Sequence, residues 1–472
     1  ISGRDILTSA GAGSGKTAVL TERVIVKVKQ GISVSNLLIL TFTHLAALEM
    51  KSRIRASLKK YPEYKEEVNK LDSCYITTFD SFSLSIVKKY HYVLNINRNI
   101  SICHQSLISS FILKSIDEIF EEMYEENNDA FLNMIYSLCL KDDQLIKNFI
   151  FKTYIGKFSS LIDIEKYLMY ELKKQDDEEY ILLLKKQYEE MLKGKISELK
   201  KSVDEVIKFA DPNFDSIKTF KNILYDESIE NIKEAFANFK SYFPNKNKNC
   251  DEEYSKVKEK LKKEVNDIRE LLEYQTLSDF KNDLEKIKGT KNVIIEIFLK
   301  LNEKVKNYKR NNDLYDFSDI ARLAIKLVSE NEYIKEELQK NFLEIMIDEY
   351  QDTSDIQEKL ISLISNNNVY YVGDVKQSIY RFRNANPILF MNKYNTFKDS
   401  NSLYKDGESI KIDLKMNFRS RNSVIKAVNS IFSSIMTDSF GGANYEEEHK
   451  MEYGNKGYDA LDNDSYDMEV LN

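Results

Sequence analysis

The chain has 472 residues and a mass of 55.2 kDa, a length that fits about three domains or one domain divided by a large insertion. Hydrophobic residues make up 42% of the chain and charged residues 31%, so it can bury sizeable cores and is not expected to be disordered. No apolar run approaches the ~18 residues that span a bilayer, which argues against a membrane protein. The first residue is Ile rather than Met, and we therefore expect the sequence to be a piece of a longer protein.

The net negative charge is concentrated at the end of the chain. The formal charge is −7, from 69 basic and 76 acidic residues, and Gly441–Asn472 contain nine of the acids and two of the lysines. Residues 1–440 therefore carry 67 charges of each sign. Because a phosphate backbone needs only a local basic surface, the acidic total does not exclude a nucleic-acid partner. Four cysteines lie far apart without a CxxC pair, which predicts a reduced, cytoplasmic setting.

The first predicted element is a short buried strand that runs into a glycine-rich loop. Asp5–Ser9 form the strand, the loop follows, and apolar residues at helical spacing then continue to Gly31. Backbone N–H groups of such a loop can surround a phosphate, and the helix N-terminus adds positive potential. The pattern is GxxxxGK(S/T) with alanine at the first glycine position. Lys16 is predicted to reach the β- and γ-phosphates and Thr17 to supply an oxygen to Mg²⁺, in a loop made of Ala10, Gly11, Ala12, Gly13, Ser14, Gly15, Lys16 and Thr17.

A long helical stretch separates two regions with an α/β pattern. Residues from about 95 to 311 are rich in Lys, Glu, Leu, Ile and Phe at helical spacing, which predicts a mostly helical domain. A strand at Ile410–Leu414 is predicted to open a third unit near residue 405. The other short apolar runs predict buried parallel strands, and they are Ile6–Leu7, Leu37–Leu40, Tyr75–Ile76, Ile345–Ile347 and Val369–Val372.

Adjacent carboxylates follow the predicted strand Ile345–Ile347. At the tip of a strand, Asp348 can hold the Mg²⁺ shell, and Glu349 can orient and deprotonate an attacking water. The alternative is a capped strand end, with Asp352 and Asp355 complementing the dipole of the next helix. The phosphate loop about 330 residues upstream favours the interpretation as a nucleotide site.

Six segments in this order resemble the UvrD/Rep group of superfamily 1 DNA helicases. The resemblance covers about residues 1–92 and 312–430, and the helical middle is matched by position alone. In that group a basic residue usually stands where this chain has Leu45. The matching segments are Ala10–Thr17, Thr41–Ile54 with its TFT and AAxEM residues, Thr77–Phe82, Asp348–Asp352, Val372–Ala385 and Asn417–Ser420.

The resemblance implies roles for residues beyond the phosphate loop. Gln377 would sense the γ-phosphate of ATP, and Arg419 would reach that phosphate as an arginine finger from a second motor domain. Phe418 would stack on adenine. The alternative for Arg419 is a surface arginine in a turn. Together with Lys16 and Glu349, these residues make up the expected site of ATP hydrolysis.

Aromatic residues in loops after predicted strands suggest a single-stranded DNA track, because bases stack on aromatic rings without sequence preference. Arg383 can reach a phosphate or stack on a base. The alternative for each aromatic ring is ordinary core packing. From the motifs and the resemblance, the expected DNA-contacting residues are Phe42, Thr43, Thr78, Phe79, Tyr380, Phe382 and Arg383.

The expected fold is an α/β P-loop NTPase of the RecA-like kind, with a parallel sheet divided by a helical insertion. Residues 1–92 and 312–400 would form the first motor domain, and residues 93–311 the insertion. Residues 401–472 would begin a second, incomplete RecA-like motor domain.

Within the group the chain is most similar to the AddA family of bacterial helicase–nuclease subunits. The features are Ser9–Leu20, Asp316–Ile320 and Gly441–Glu448. This similarity implies 3′→5′ translocation on single-stranded and duplex DNA in double-strand-break repair, with an AddB-like partner subunit. Three alternatives stay open: a stand-alone UvrD/Rep-like repair helicase, an ATP- and DNA-binding fragment without turnover, and a P-loop protein that acts on something other than nucleic acid.

Overall fold

The computed structural model describes residues 3–139, 141–174, 176–226, 229–274, 276–437, 444–445 and 449–461. Most of the predicted feature at Gly441–Glu448, and most of the acidic end of the chain, therefore lie outside the described residues. The strands are β1 (Ile6–Ala10), β2 (Leu37–Thr41), β3 (Tyr75–Thr78), β4 (Ser101–Ile102), β5 (Leu314–Tyr315), β6 (Glu344–Ile347), β7 (Val369–Gly373), β8 (Lys398–Asp399), β9 (Ile410–Leu414), β10 (Met416–Asn417) and β11 (Glu452–Tyr453).

Seven of these strands form one parallel sheet in the order β3-β2-β6-β7-β1-β9-β8. Neighbouring residues of a strand face opposite sides of a sheet, and each side here is covered by its own apolar core. Leu38 and Leu40 lie in one core, and Ile39 lies in the other. This burial on both faces explains why the strands read as continuous apolar runs in the sequence.

The position of β9 corrects one prediction. Ile410–Leu414 was expected to open a separate unit, but it pairs in parallel with β1, with Ile6 opposite Ile410 and Ala10 opposite Leu414. The physical reason is that β1 is central, so its second edge needs backbone hydrogen-bond partners, which β9 supplies. The prediction that a third unit begins with this strand is therefore wrong. The assignment of residues after Leu414 to a second motor domain stays a prediction.

The described helices are α1 (Lys16–Lys29), α2 (His44–Leu58), α3 (Lys65–Lys70), α4 (Phe79–Lys89), α5 (Gln105–Glu125), α6 (Asp129–Leu138), α7 (Gln144–Gly156), α8 (Ile164–Lys174), α9 (Glu178–Phe209), α10 (Asp215–Asp226), α11 (Ile229–Ala237), α12 (Phe239–Tyr242), α13 (Tyr254–Leu271), α14 (Leu277–Asn311), α15 (Phe317–Glu330), α16 (Glu332–Asn341), α17 (Asp355–Ile364), α18 (Pro387–Thr396) and α19 (Asn422–Ile435). Helices α1 and α2 bury apolar residues in the core on one face of the sheet. Helices α4, α15, α16, α17 and α18 do so on the other face.

The chain forms two compact units. The first consists of Ile1–Asp117, Lys147–Ile164 and Leu301–Asn472, and it contains the sheet. The second consists of Glu118–Ile146 and Glu165–Lys300, and its core joins α9–α13 around aromatic residues such as Phe220 and Phe236. The second unit is narrower than the predicted insertion of residues 93–311, because β4 pairs with β5 within the first unit.

The predicted α/β class with a parallel sheet and a mostly helical middle is confirmed. Within the described part of the chain, no helix is both long enough and apolar enough to cross a bilayer. The carboxyl ends of parallel strands meet at one edge of a sheet, where ligands of such folds bind. The phosphate loop after β1, the acidic residues after β6 and the Val372–Ala385 segment after β7 all begin at this edge.

Candidate nucleotide and DNA site

The loop between β1 and α1 has the backbone geometry of an anion cradle. Gly13 has a φ of 72° and Gly15 a φ of 89°, a left-handed region that favours glycine. Ser14 closes the turn by donating its hydroxyl and its N–H to the carbonyl of Gly11. Helix α1 then begins directly at Lys16. The loop therefore places the positive end of a helix beside a lysine, as a phosphate site requires.

Lys16 joins three neighbouring strands of the sheet at their carboxyl ends. Its Nζ donates to Glu349 Oε2 at 2.6 Å and to Gln377 Oε1 at 3.1 Å. These partners follow β6 and β7, and the sheet order places β7 between β6 and β1. The structure thus brings together three of the four residues that the sequence nominated for catalysis. Chemically, the cluster offers one cation, one carboxylate and one amide around a single point.

Asp348 is a buried acid at the tip of β6. It is 9% exposed, and burial together with the neighbouring charge of Glu349 raises its pKa from 3.8 to about 6. Its Oδ1 accepts from the backbone N–H of Glu349, a residue held in the left-handed region at a φ of 51°. A hard divalent cation prefers carboxylate and hydroxyl oxygens, and it would offset the burial of this carboxylate. Asp348 and the Thr17 hydroxyl therefore fit the predicted Mg²⁺ site.

The raised pKa of Asp348 predicts how stability and metal use depend on pH. The folded protein retains a proton that the unfolded chain releases near pH 4, so stability falls as pH rises from about 4 to about 6. We expect Asp348→Asn to raise the free energy of unfolding at pH 7 by about 2 kcal/mol. In the wild type we expect Mg²⁺-dependent nucleotide affinity to fall about tenfold per pH unit below pH 6, because the proton competes with the cation. Chemical denaturation and nucleotide titration across pH 5–8 measure both effects.

The control for that prediction is the asparagine variant itself. Its nucleotide affinity should retain the titration of the nucleotide and lose the contribution of the side chain at 348. Burial also raises the pKa of Asp352 to about 6, so the variant should keep a smaller fall of stability in the same pH range. Identical pH profiles for the wild type and Asp348→Asn would contradict the assignment.

The Asn417–Ser420 segment packs directly against the phosphate loop. Asn417 Nδ2 donates to the Ala12 carbonyl at 2.7 Å, and the N–H of Phe418 donates to the Gly13 carbonyl at 2.9 Å. A β-carbon at Gly13 would lie 2.8 Å from Cβ of Arg419, so glycine is needed for this approach. Arg419 is exposed beside the loop, and Phe418 is 52% exposed with one ring edge against Gly454. The predicted finger and stacking residues thus lie next to the predicted phosphate site.

An aromatic surface lies at the same edge of the sheet. The rings of Phe42 and Tyr380 are 4.6 Å apart between centroids, and those of Tyr380 and Phe382 are 5.7 Å apart. The Arg383 guanidinium lies 5.7–6.0 Å from the centroids of all three rings. Phe382 is 76% exposed. Rings joined by an arginine, with one ring in solvent, are suited to stacking of unpaired bases.

Three other nominated DNA residues have local structural roles. Thr43 and Thr78 cap helices α2 and α4, and their hydroxyl oxygens accept from the N–H groups of Ala46 and Ser81. Both threonines still lie at strand ends near the candidate DNA surface. Phe79 is different, because it is 6% exposed and belongs to the core beneath α4. The structure contradicts Phe79 as a base-stacking residue, since helical spacing turns its ring inward.

Sequence reasoning assigned no role to two buried polar residues of the site. Gln351 is 1% exposed and donates its amide to Glu349 Oε2 at 2.8 Å. Asp374 is also 1% exposed, accepts from Gln377 Nε2 at 2.8 Å and pairs with Lys376 at 2.7 Å. Both lie inside segments that carried the resemblance. The contact between them joins segments after two different strands, so spacing along the chain gave no signal for it.

A parallel sheet with a glycine-rich loop between its first strand and first helix defines a P-loop protein. Residues 2–398 match the family described as the UvrD/REP helicase N-terminal domain, and the chain belongs to this family. The predicted resemblance to the UvrD/Rep group is therefore confirmed.

Several curated relatives carry the name of AddA, which is one of the subunits of an ATP-dependent helicase/nuclease. The protein from Lachnoclostridium phytofermentans is 32% identical over 94% of this chain and 35% of its own length. The protein from Clostridium beijerinckii is 32% identical over 95% of this chain and 39% of its own length. The protein from Ligilactobacillus salivarius is 30% identical over 97% of this chain and 40% of its own length. The chain thus spans about two fifths of these relatives, and the predicted similarity to AddA is confirmed.

Proposed function

We propose that this chain is the ATP-hydrolysing motor part of a DNA helicase that translocates along single-stranded DNA. The observation that carries the proposal is the pair of hydrogen bonds from Lys16 to Glu349 and Gln377. They join the phosphate-binding lysine to the proposed base and to the proposed γ-phosphate sensor. Phosphoryl transfer depends mostly on positioning and charge stabilisation, and this cluster provides both.

In the proposed reaction, Lys16 and the loop N–H groups hold the phosphates of ATP. Glu349 orients the attacking water and accepts its proton, and Arg419 stabilises the charge that develops on the γ-phosphate. Phe418 stacks on the adenine ring. Asp348 and Thr17 would hold Mg²⁺, which neutralises phosphate charge when it is bound.

The candidate DNA surface is close in sequence to the nucleotide sensor. Gln377 precedes Phe382 by five residues, and the two lie on one short segment after β7. A shift of Gln377 on hydrolysis can therefore move the rings of Tyr380 and Phe382. Coupling of this kind moves the protein along a strand as the nucleotide site closes and reopens.

At a finer level, we propose that the longer protein is an AddA-like helicase–nuclease that acts in double-strand-break repair. The relatives that carry the AddA name support this, because they are named as one of the subunits of an enzyme, which implies a partner, here an AddB-like one. Translocation would run 3′→5′, with single-stranded and duplex DNA as substrates, in the bacterial cytoplasm. The second candidate is a stand-alone UvrD/Rep-like repair helicase, which the family match favours equally.

The test is DNA-stimulated ATP hydrolysis and strand displacement by the full-length protein. We expect single-stranded DNA to stimulate phosphate release, and a duplex with a 3′ tail to be unwound in preference to one with a 5′ tail. Absence of stimulation by any DNA would refute the helicase proposal. Degradation of the displaced strand distinguishes the helicase–nuclease from the stand-alone helicase.

A further inference from the structure

Five side chains at the carboxyl edge of the sheet form a closed ring of hydrogen bonds. Lys16 donates to Glu349 and to Gln377, at 2.6 and 3.1 Å. Gln377 Nε2 donates to Asp374 Oδ2 at 2.8 Å, and the Asp374 N–H donates to Gln351 Oε1 at 2.9 Å. Gln351 Nε2 then donates to Glu349 Oε2 at 2.8 Å and closes the ring. Every link is within ordinary hydrogen-bond distance.

Gln351 has a particular place in this ring. It is 1% exposed, and it links the segment after β6 to the segment after β7. Its amide uses the donor toward Glu349 and the acceptor toward Asp374, so its orientation is fixed. A flipped amide would set its carbonyl against the carboxylate and its NH₂ against a backbone N–H. Its own backbone carbonyl also accepts from the Ser378 hydroxyl at 3.4 Å.

The backbone beside Gln351 is shaped to admit this side chain. A β-carbon on Gly373 would overlap Gln351 Oε1 and would also approach the N–H of Tyr350 at 3.1 Å. Glycine at the end of β7 is therefore required for the contact between the two segments. This packing is independent of the hydrogen-bond ring and points to the same amide.

The ring changes when Lys16 leaves it. The phosphates of a nucleotide would compete for the Lys16 ammonium, which supplies two of the five links. Glu349 and Gln377 would then be connected to each other only through Gln351 and Asp374. We propose that Gln351 is a positioning residue that holds the proposed base at a fixed place relative to the γ-phosphate sensor, and so couples hydrolysis to the DNA-contacting segment. This inference rests on the proposed function.

Two substitutions test the inference in the full-length protein. Gln351→Met keeps the volume and removes both hydrogen bonds, and we expect the DNA-stimulated kcat to fall about 30-fold because the base is misplaced. The KM for ATP should change by less than about threefold, since Gln351 touches no proposed nucleotide contact other than the base itself.

Gln351→Glu separates positioning from packing. Ionised, it repels Glu349; protonated, its O–H replaces the amide donor while its carbonyl still accepts from Asp374. Relative to the wild type at each pH, we expect a loss of about 30-fold at pH 8 that shrinks to about threefold at pH 6. Gln351→Met should show the same loss at both pH values.

The outcomes divide clearly. If the wild type shows no DNA-stimulated hydrolysis, the proposed helicase function fails. If the wild type is stimulated but Gln351→Met keeps a kcat within about twofold of it, only the positioning role fails. Equal losses for Gln351→Glu at pH 6 and pH 8 would likewise overturn that role, and this measurement decides alone if Gln351→Met does not fold.

Discussion

We expect Lys16→Ala to lower DNA-stimulated ATP hydrolysis about 10³-fold while single-stranded DNA still binds. Lys16 is the cation at the first residue of α1, and its ammonium contacts both Glu349 and Gln377. Its loss removes a fixed positive charge from the proposed phosphate site. The aromatic surface around Phe42 and Phe382 contains no contact to Lys16 among the described hydrogen bonds and ring contacts, so DNA affinity should change little. Phosphate release and fluorescence anisotropy with a labelled oligonucleotide measure the two properties.

Lys29→Ala is a matched control on the same helix. Lys29 lies in the last turn of α1, is exposed and donates to the Tyr61 hydroxyl at 3.1 Å. Its replacement changes the net charge by the same amount as Lys16→Ala and should leave ATP hydrolysis unchanged. DNA-stimulated turnover that persists in Lys16→Ala would refute the assignment of the phosphate loop.

Two phenylalanines that the sequence placed in one class should behave in opposite ways. Phe79→Ala should lower the free energy of unfolding by about 3–4 kcal/mol, because the ring is buried in the core and its removal leaves a cavity. Phe382→Ala should change that free energy by less than about 0.5 kcal/mol, because the ring is 76% exposed. It should weaken single-stranded DNA binding about tenfold, the effect of losing one stacked base.

Each variant serves as the control for the other, because both remove the same ring. Denaturant unfolding gives the free energies, and anisotropy at a fixed salt concentration gives the affinities. If Phe79→Ala weakened DNA binding without loss of stability, the ring would belong to the DNA surface after all. If Phe382→Ala bound DNA like the wild type, the exposed aromatic surface would not be the track.

The difference between these rings explains where sequence reasoning failed. Both follow predicted strands in segments that resemble DNA-contacting motifs. Phe79 is the first residue of α4, where the start of the helix turns its ring toward Phe82 and the core. Phe382 lies in a short irregular segment between β7 and α18, with no helix above it to cover the ring. A motif gives the residue type, but the local backbone decides which way the ring points.

The strand Ile410–Leu414 illustrates the same limit at the level of the fold. Its existence and bounds were predicted correctly, but its partner was not. Any apolar strand can satisfy the hydrogen bonds of any free sheet edge, so local pattern does not specify pairing between distant segments. The same holds for the contact between Gln351 and Asp374, which joins the segments after two buried strands and whose partners lie 23 residues apart.

The sequence by itself determined the class of this protein. The glycine-rich loop, the acidic strand end and the order of the other segments placed it in the UvrD/REP family, since each depends on residue types at short spacing. Only the tertiary structure decided that β9 completes the first sheet, that Phe79 is buried and that Gln351 joins Glu349 to Asp374. These features arise from packing between segments far apart in the chain, where many pairings satisfy the same local pattern and burial selects one of them.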